Sequence, residues 1–375
     1  APAAPPNPEP MWRAVSRTPD GAWVWEMRFQ APRRIGALGQ VLGDHPFVLR
    51  NAPRDYEWQG TVDGHRWATL PDARVREERR LFRVLRFPRA RDYAGLRLVV
   101  RSVGNGTDNA VGPAVMRADL LESPDAAWPG SSWILVVNST HDPALPGHGQ
   151  EFIPLARSCP GWESLGAQQV WVPDVDPGLV DVEPKPLAVF FSGSFKDWCE
   201  VDRRHWRGVE RVLARGRDPM WASCGGAQAL AILADRGTRV PWDCPHCRDA
   251  EHPRLPIYGH IGHRGEGPHR CGDYGDCVFE RGPHQVRQVV ADPVFAGLPP
   301  SFTVMQSHCG EIVYAPRGWQ VVATGGAGSL TRNQCLRWGQ RPIYAAQFHI
   351  EMEGTPEVSR AIMSGFLELA SRHRR

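Results

Sequence analysis

The chain of 375 residues contains no run approaching the roughly 20 apolar residues that a membrane-spanning helix needs, so no such span is expected. It also lacks a charge excess of one sign. Its formal net charge is only +3, with arginine scattered throughout, so no basic stripe for nucleic acid is expected. An initiator Met and an apolar signal core are missing too, which predicts that any signal peptide has been removed or never existed. The opening "APAAPPNPEP" has nothing to pack with and reads as a flexible leader over residues 1–20. Its Ala/Pro character leans towards an extracytoplasmic protein. Nine cysteines cannot all pair with one another, so at least one is free or bound to something else.

Apolar content is ordinary, and the length allows about two domains at a prior of ~150 residues each. The first half shows no convincing helical period. "WVWEMRF", "LFRVLRF" and "LRLVVRSV" are short runs of aromatic and β-branched residues between Gly, Pro, Asp and Asn turns, which predicts an all-β sandwich over 21–122. "ESPDAAWPGSS" then supplies a linker at 123–132. From residue 133 the grammar changes. "WILVVN" (133–138), "QVWVP" (169–173), "LAVFFSG" (187–193) and "PMWAS" (219–223) are nearly continuous apolar runs, as strands buried on both faces should be. Helix-like segments such as "RRHWRGVERVLAR" (203–215) separate them. The expected fold of 133–375 is therefore α/β, a flavodoxin-like layering around a mostly parallel sheet.

Chemistry concentrates in "DPMWASCGGAQALAIL" (218–233). Cys224 follows a short apolar strand and precedes a helical run, so it sits on a sharp strand-to-helix elbow where small neighbours let substrate approach. A free cysteine can equally be a small buried hydrophobe. A nucleophilic thiol needs a base and a group that orients the base. "RPIYAAQFHIEMEG" (341–354) offers both: if "IYAAQF" is a strand, His349 and Glu351, two apart, project the same way.

These segments together resemble the class I glutamine amidotransferase family. The elbow Gly-x-Cys-x-Gly-x-Gln stands here as Ala222-Ser223-Cys224-Gly225-Gly226-Ala227-Gln228, and the closing Gln-Phe-His-Pro-Glu as Gln347-Phe348-His349-Ile350-Glu351. The family's oxyanion loop is similar to "FFSGSF", with Gly193 in the critical place, and its Ser-His segment to "MQSHCGEI", with Ser307 and His308. The resemblance covers roughly 133–372, with the four motifs in family order. It implies catalytic Cys224, His349 and Glu351, and oxyanion donors at Gly193 and Gly225. It also implies substrate contacts from Gln228, Ser307 and His308, and acyl transfer through a thioester on a small carboxamide substrate. Three departures stand out: Ala222 and Ile350 replace Gly and Pro, and Cys309-Gly310 follows His308 where an acidic residue often sits. The last puts glutamine itself in question against a γ-glutamyl or other carboxamide. No second segment reads as an ammonia acceptor, so stand-alone hydrolysis and ammonia delivery to a partner both fit.

In the first half, "YEWQGTVDGHRWATL" (56–70), "ERRLFRVLRFPRARDYAGLRLVV" (78–100) and "GPAVMRADLLE" (112–122) follow the order of features in discoidin, or galactose-binding-like, domains. That resemblance implies a glycan- or partner-binding module, or a docking module, without assigning a ligand residue. It also keeps open an alternative in which the whole chain is a binding or scaffold protein with an altered enzyme domain.

A Cys/His-rich insertion occupies 241–280. Cys244-x2-Cys247 and Cys271-x5-Cys277 offer four thiolates to a structural zinc ion, with His246, His260, His263 and His269 as substitutes. Disulfides within each pair would order the segment equally well. Catalysis would need no cofactor. Cys159, Cys199, Cys309 and Cys335 read as isolated buried thiols, with Cys309 near the pocket because it follows His308.

Overall fold

A computed structural model of the chain describes residues 12–13, 16–104, 112–140, 149–194, 196–242, 257–261 and 277–374. These fall into two compact units, 1–133 with 181–185, and 134–180 with 186–375.

The first unit is built on β1 (Trp12–Arg13), β2 (Ser16–Arg17), β3 (Trp23–Leu42), β4 (Ala52–Thr61), β5 (Ala68–Val75), β6 (Phe82–Gly104) and β7 (Ala114–Leu121). Among the described residues they make one antiparallel sheet, ordered β1-β7-β3-β6-β4-β5 with β2 on β3, where two packed sheets were expected. The reason lies in β3 and β6. Both run on through the Pro- and Arg-rich stretches that looked like breaks, and they absorb them as register shifts between Arg28 and Arg33 and between Ile35 and Ala37. Trp58, Leu38, Leu96, Phe87 and Tyr56 form the core. Buried Gln40 is satisfied there, donating to the Tyr56 hydroxyl at 2.6 Å and accepting from Trp58 Nε1 at 3.0 Å.

Two segments behave differently from their composition. Ser16–Arg17 already pairs with Val24 and Trp23, so the sheet begins inside the expected leader. The segment 123–132, expected as a linker, packs down: Trp128 is buried, and a Cβ on Gly39 would lie 2.4 Å from its indole nitrogen. Residues 181–185 join this unit because buried Arg80 donates to the carbonyls of Val182 and Pro184, and Trp133 Nε1 donates to Pro184 O at 2.8 Å.

The second unit holds β8 (Trp133–Asn138), α1 (Phe152–Arg157), β9 (Gly166–Trp171), α2 (Pro177–Asp181), β10 (Val189–Phe191), α3 (Arg207–Arg215), β11 (Met220–Ser223) and α4 (Gly225–Arg236). They are followed by β12 (Tyr258–His260), β13 (Glu280–Gln288), β14 (Ser301–His308), β15 (Gly310–Ile312), β16 (Trp319–Gly325), β17 (Asn333–Trp338), β18 (Ile343–Ala346) and α5 (Pro356–Arg374). Among the described residues, nine strands form one sheet, β14-β13-β16-β17-β18-β11-β10-β8-β9.

The sheet is mixed rather than mostly parallel. β8, β10, β11 and β18 run parallel, whereas β18, β17, β16, β13 and β14 alternate in direction. Helix α3, for example, carries the chain from β10 to its parallel neighbour β11. No α-helix occurs from Glu280 to Ala346, so those strands return by turns and pair antiparallel. β8, β10 and β11 are buried at every residue, which is why their sequences are apolar without alternation. No helix among the described residues is long and apolar enough to cross a membrane.

Candidate active site

β11 delivers Cys224 to the carboxyl end of the parallel strands, where crevices in open α/β sheets lie. Its backbone takes φ +50° and ψ −115°, a conformation that L-residues rarely adopt. Three hydrogen bonds hold the elbow: Cys224 N to Ala346 O at 2.8 Å, Gly226 N to Ser192 O at 3.1 Å, and Gln228 N to Cys224 O at 3.0 Å. Glycine is required at the next position, because a Cβ on Gly225 would lie 2.5 Å from the backbone nitrogen of Ser194. Gly225 opens α4, in the first turn, where amides have no intrahelical acceptor. Gly193, just past β10's end, also lies beside the thiol: a Cβ there would sit 3.7 Å from Cys224 Cβ and 3.9 Å from its sulfur, in ordinary contact.

His349 and Glu351 converge on the same point, but not as strand neighbours. β18 ends at Ala346, and His349 is fixed by its amide bonding Met305 O at 2.9 Å in an isolated bridge to β14. His349 Nδ1 lies 2.6 Å from Glu351 Oε1, and the other carboxylate oxygen accepts from Ser223 Oγ at 2.9 Å. Burial works against a charged His349, yet Glu351 and then Cys224 outweigh it and hold its pKa well above the ordinary value. Nε2 is the ring nitrogen left for Cys224. Among the described residues it has no hydrogen-bond partner, and the thiol reaches Ser307 O at 3.7 Å.

A cavity of about 360 Å³ opens beside the thiol. Gln228, Ser307 and His308 line it, along with Lys196, Asp197, Tyr258, Phe279, Arg281 and Cys309. The side chains of two of the expected contacts are already engaged. The Gln228 amide accepts from Trp198 Nε1 at 3.0 Å and donates to Gln347 at 3.2 Å. The His308 ring meets Gly310 O and Gln306 Oε1, both at 2.8 Å, with Glu280 at 3.3 Å. They shape the wall, and the exposed Ser307 is left to face the cavity.

Sequence reasoning missed the opposite wall. Asp197, Tyr258 and Arg281 are far apart in the chain and follow no spacing rule. The one available signal was that Asp197 and Arg281 flank segments already singled out, the oxyanion loop and the insertion.

Cys244, Cys247 and Cys271 of the expected zinc set lie outside the described residues. Among the described residues, His260 Nδ1 is 3.0 Å from Cys277 Sγ, and Cys309 lies alongside. Cys159 and Cys335 are buried free thiols, as expected, with burial pushing Cys159 up to about 11. Cys199 departs from that expectation, because it is disulfide-bonded.

A family model described as "Glutamine amidotransferase class-I" matches residues 169–369. A glutamine-hydrolyzing GMP synthase subunit of Ignicoccus hospitalis is 35% identical over 166 residues, covering 44% of this chain and 67% of that protein. Its counterpart from Thermoplasma acidophilum is 32% identical over 95 residues, 25% of this chain and 46% of that protein. Among solved structures, one described as a GMP synthase subunit from Thermoplasma acidophilum matches with TM-score 0.45 and 19% identity, over 64% of this chain and 95% of its own. The glutaminase domain of Trypanosoma brucei CTPS matches with TM-score 0.47 and 15% identity, over 64% and 94%.

Proposed function

Because the chain belongs to the class-I glutamine amidotransferase family, we propose that its second unit hydrolyses a carboxamide through a thioester on Cys224. The sulfur attacks the amide carbon, and the carbonyl oxygen takes up negative charge against the Gly193 and Gly225 amides. Each such donor lowers the barrier by roughly 3 kcal/mol. His349 gives its proton to the departing nitrogen as the C–N bond breaks, then removes a proton from the water that cleaves the thioester. Glu351 keeps Nδ1 protonated and steadies the imidazolium, while Ser223 keeps Glu351 in place.

The observation that supports this reading is the His349–Glu351 pair, held by Ser223, near a cysteine at positive φ that helps to raise the His349 pKa. A buried structural cysteine would have no use for that backbone conformation. Glutamine is the first substrate to try, since the relatives' names specify its hydrolysis. Lys196 and Arg281 on the cavity wall suit a substrate carboxylate. Cys309 and Gly310 keep γ-glutamyl amides and other carboxamides in contention.

For the first unit we propose a binding role of the galactose-binding-like kind. A groove of about 760 Å³, walled by Arg54, Glu57, Arg74 and Arg101 among others, supports it by offering alternating charged donors and acceptors to a polar ligand.

The test of the enzymatic reading is ammonia release from glutamine and a γ-glutamyl amide series by the intact chain, with hydroxylamine present to trap the acyl group as a hydroxamate. Turnover of at least one member with hydroxamate formation supports the thioester route. Failure on every carboxamide would hand the chain to the alternative, a binding or scaffold protein.

A further inference from the structure

His260, Cys277 and Cys309 come from three separate segments, the end of β12, the approach to β13 and the turn between β14 and β15. Their ligand atoms nevertheless all lie within 4.8 Å of one another. Two sulfurs each 2.3 Å from a common tetrahedral ion would be about 3.8 Å apart, and a nitrogen and a sulfur about 3.5 Å, so small shifts, including an opening of the 3.0 Å His260–Cys277 pair, let the cluster share one.

The surroundings of the imidazole are those of a metal-binding histidine. His260 is buried, its Nδ1 faces Cys277 Sγ at 3.0 Å, and its Nε2 meets Asp197 Oδ1 at 2.7 Å. The Tyr258 hydroxyl donates to the same Asp197 oxygen at 2.8 Å. A carboxylate taking the Nε2 proton leaves the Nδ1 lone pair for a cation, and it fixes the plane of the ring. No such arrangement is needed to pack a histidine.

We propose that His260 Nδ1, Cys277 Sγ and Cys309 Sγ bind one zinc ion on the wall of the substrate cavity. Two thiolates and a neutral imidazole cancel the charge of a divalent ion, so the site can be filled at this depth without a net buried charge. Thiolate ligands favour zinc over magnesium or calcium. Two thiol protons leave to solvent on binding. These three ligands occupy three of the four positions of a tetrahedral ion. Cys309 lines the same cavity as Cys224, so the ion ties β12 and the approach to β13 to the wall that faces the nucleophile. This ligand set differs from the four insertion cysteines, and its readout is metal content, which is independent of amide hydrolysis.

The experiment uses the full chain with Cys224→Ser, which removes the competing thiol. Zinc analysis after exhaustive dialysis should give about one ion per chain. X-ray absorption should show two sulfurs near 2.3 Å and lighter ligands near 2.0 Å. Cys309→Ser should lose the zinc, and Asp197→Asn should weaken it by about 10- to 100-fold without changing the sulfur count. Should Cys309→Ser fail to fold, the absorption spectrum of the Cys224→Ser protein alone decides. A sulfur-only shell, full zinc in folded Cys309→Ser, zinc that vanishes with Cys224→Ser, or metal-free protein with a Cys277–Cys309 disulfide would each overturn the site.

Discussion

The two walls of the cavity are made in different ways. The Cys224 side is short chain pieces at the ends of parallel strands: Gly193 after β10, Cys224 after β11, and His349 three residues beyond β18. Cys224 and His349 are each fixed by a backbone hydrogen bond, Cys224 takes a rare φ, and one extra carbon on the adjoining Gly225 would collide with Ser194. The opposite wall is Lys196, Asp197, Tyr258, Arg281 and Cys309, delivered by a loop, a two-stranded ribbon and the antiparallel half of the sheet. The first wall has geometry suited to one kind of chemistry. The second has side chains that can be exchanged without disturbing the first, which is where substrate choice can change while the reaction stays the same.

Breaking the first wall should have the largest effect. Cys224→Ala should lower amide hydrolysis by roughly 10⁶, measured as ammonia release, while leaving the circular dichroism spectrum unchanged. Glu351→Gln should cost about 10²- to 10⁴-fold in kcat, because nucleophile and base remain but the imidazole loses its orienting charge. It should also move a pH limb. Glu351 raises the His349 pKa, so its loss lets that pKa fall, and the limb of the rate profile assigned to His349 should shift to lower pH. Gly225→Ala should reduce kcat about 10²-fold, because the added carbon pushes against the Ser194 amide and parts the elbow from the oxyanion loop. Overpacking there should also cost about 1–3 kcal/mol of stability.

The smallest effect tests the second wall's foundation. Burial opposes the charge on Glu280, but hydrogen bonds from His308, Ser329 and the Leu330 amide hold its carboxyl down at about 2. A carboxyl depressed in the folded state stabilises above its ordinary pKa, and that contribution drains away as pH falls towards 2. Glu280→Gln should therefore lower Tm at neutral pH, by about 2–4 °C for each kcal/mol lost. The gap from the native chain should narrow between pH 4.5 and 2. A constant gap across that range would show that Glu280 acts by packing alone.

The same contrast governs what could be read from the sequence. The elbow, the Gly193 loop and the His349–Glu351 pair were legible because each lies within a few consecutive residues whose spacing is tied to strand and turn geometry. Even there the route differed: His349 and Glu351 meet through the bridge to Met305, not through strand alternation. The buried runs of β8 and β10 announced parallel neighbours. The antiparallel half was misjudged, because short strands with mixed burial such as β13 do not declare their partners. Pro32 and Pro88 looked like strand ends, yet β3 and β6 absorb them. The grouping of Asp197, His260, Cys277 and Cys309 spans more than 100 positions of chain and exists only in three dimensions.

The account rests on Cys224 being the reacting sulfur in a cavity that it shares with Cys309, and chemical labelling distinguishes the two directly. An electrophilic glutamine analogue, added at equimolar ratio to the full chain and followed by peptide mapping, should leave one adduct, on Cys224. His349→Gln should abolish it. An adduct on Cys309 or Cys277 with Cys224 untouched would contradict the account, whatever hydrolysis is observed.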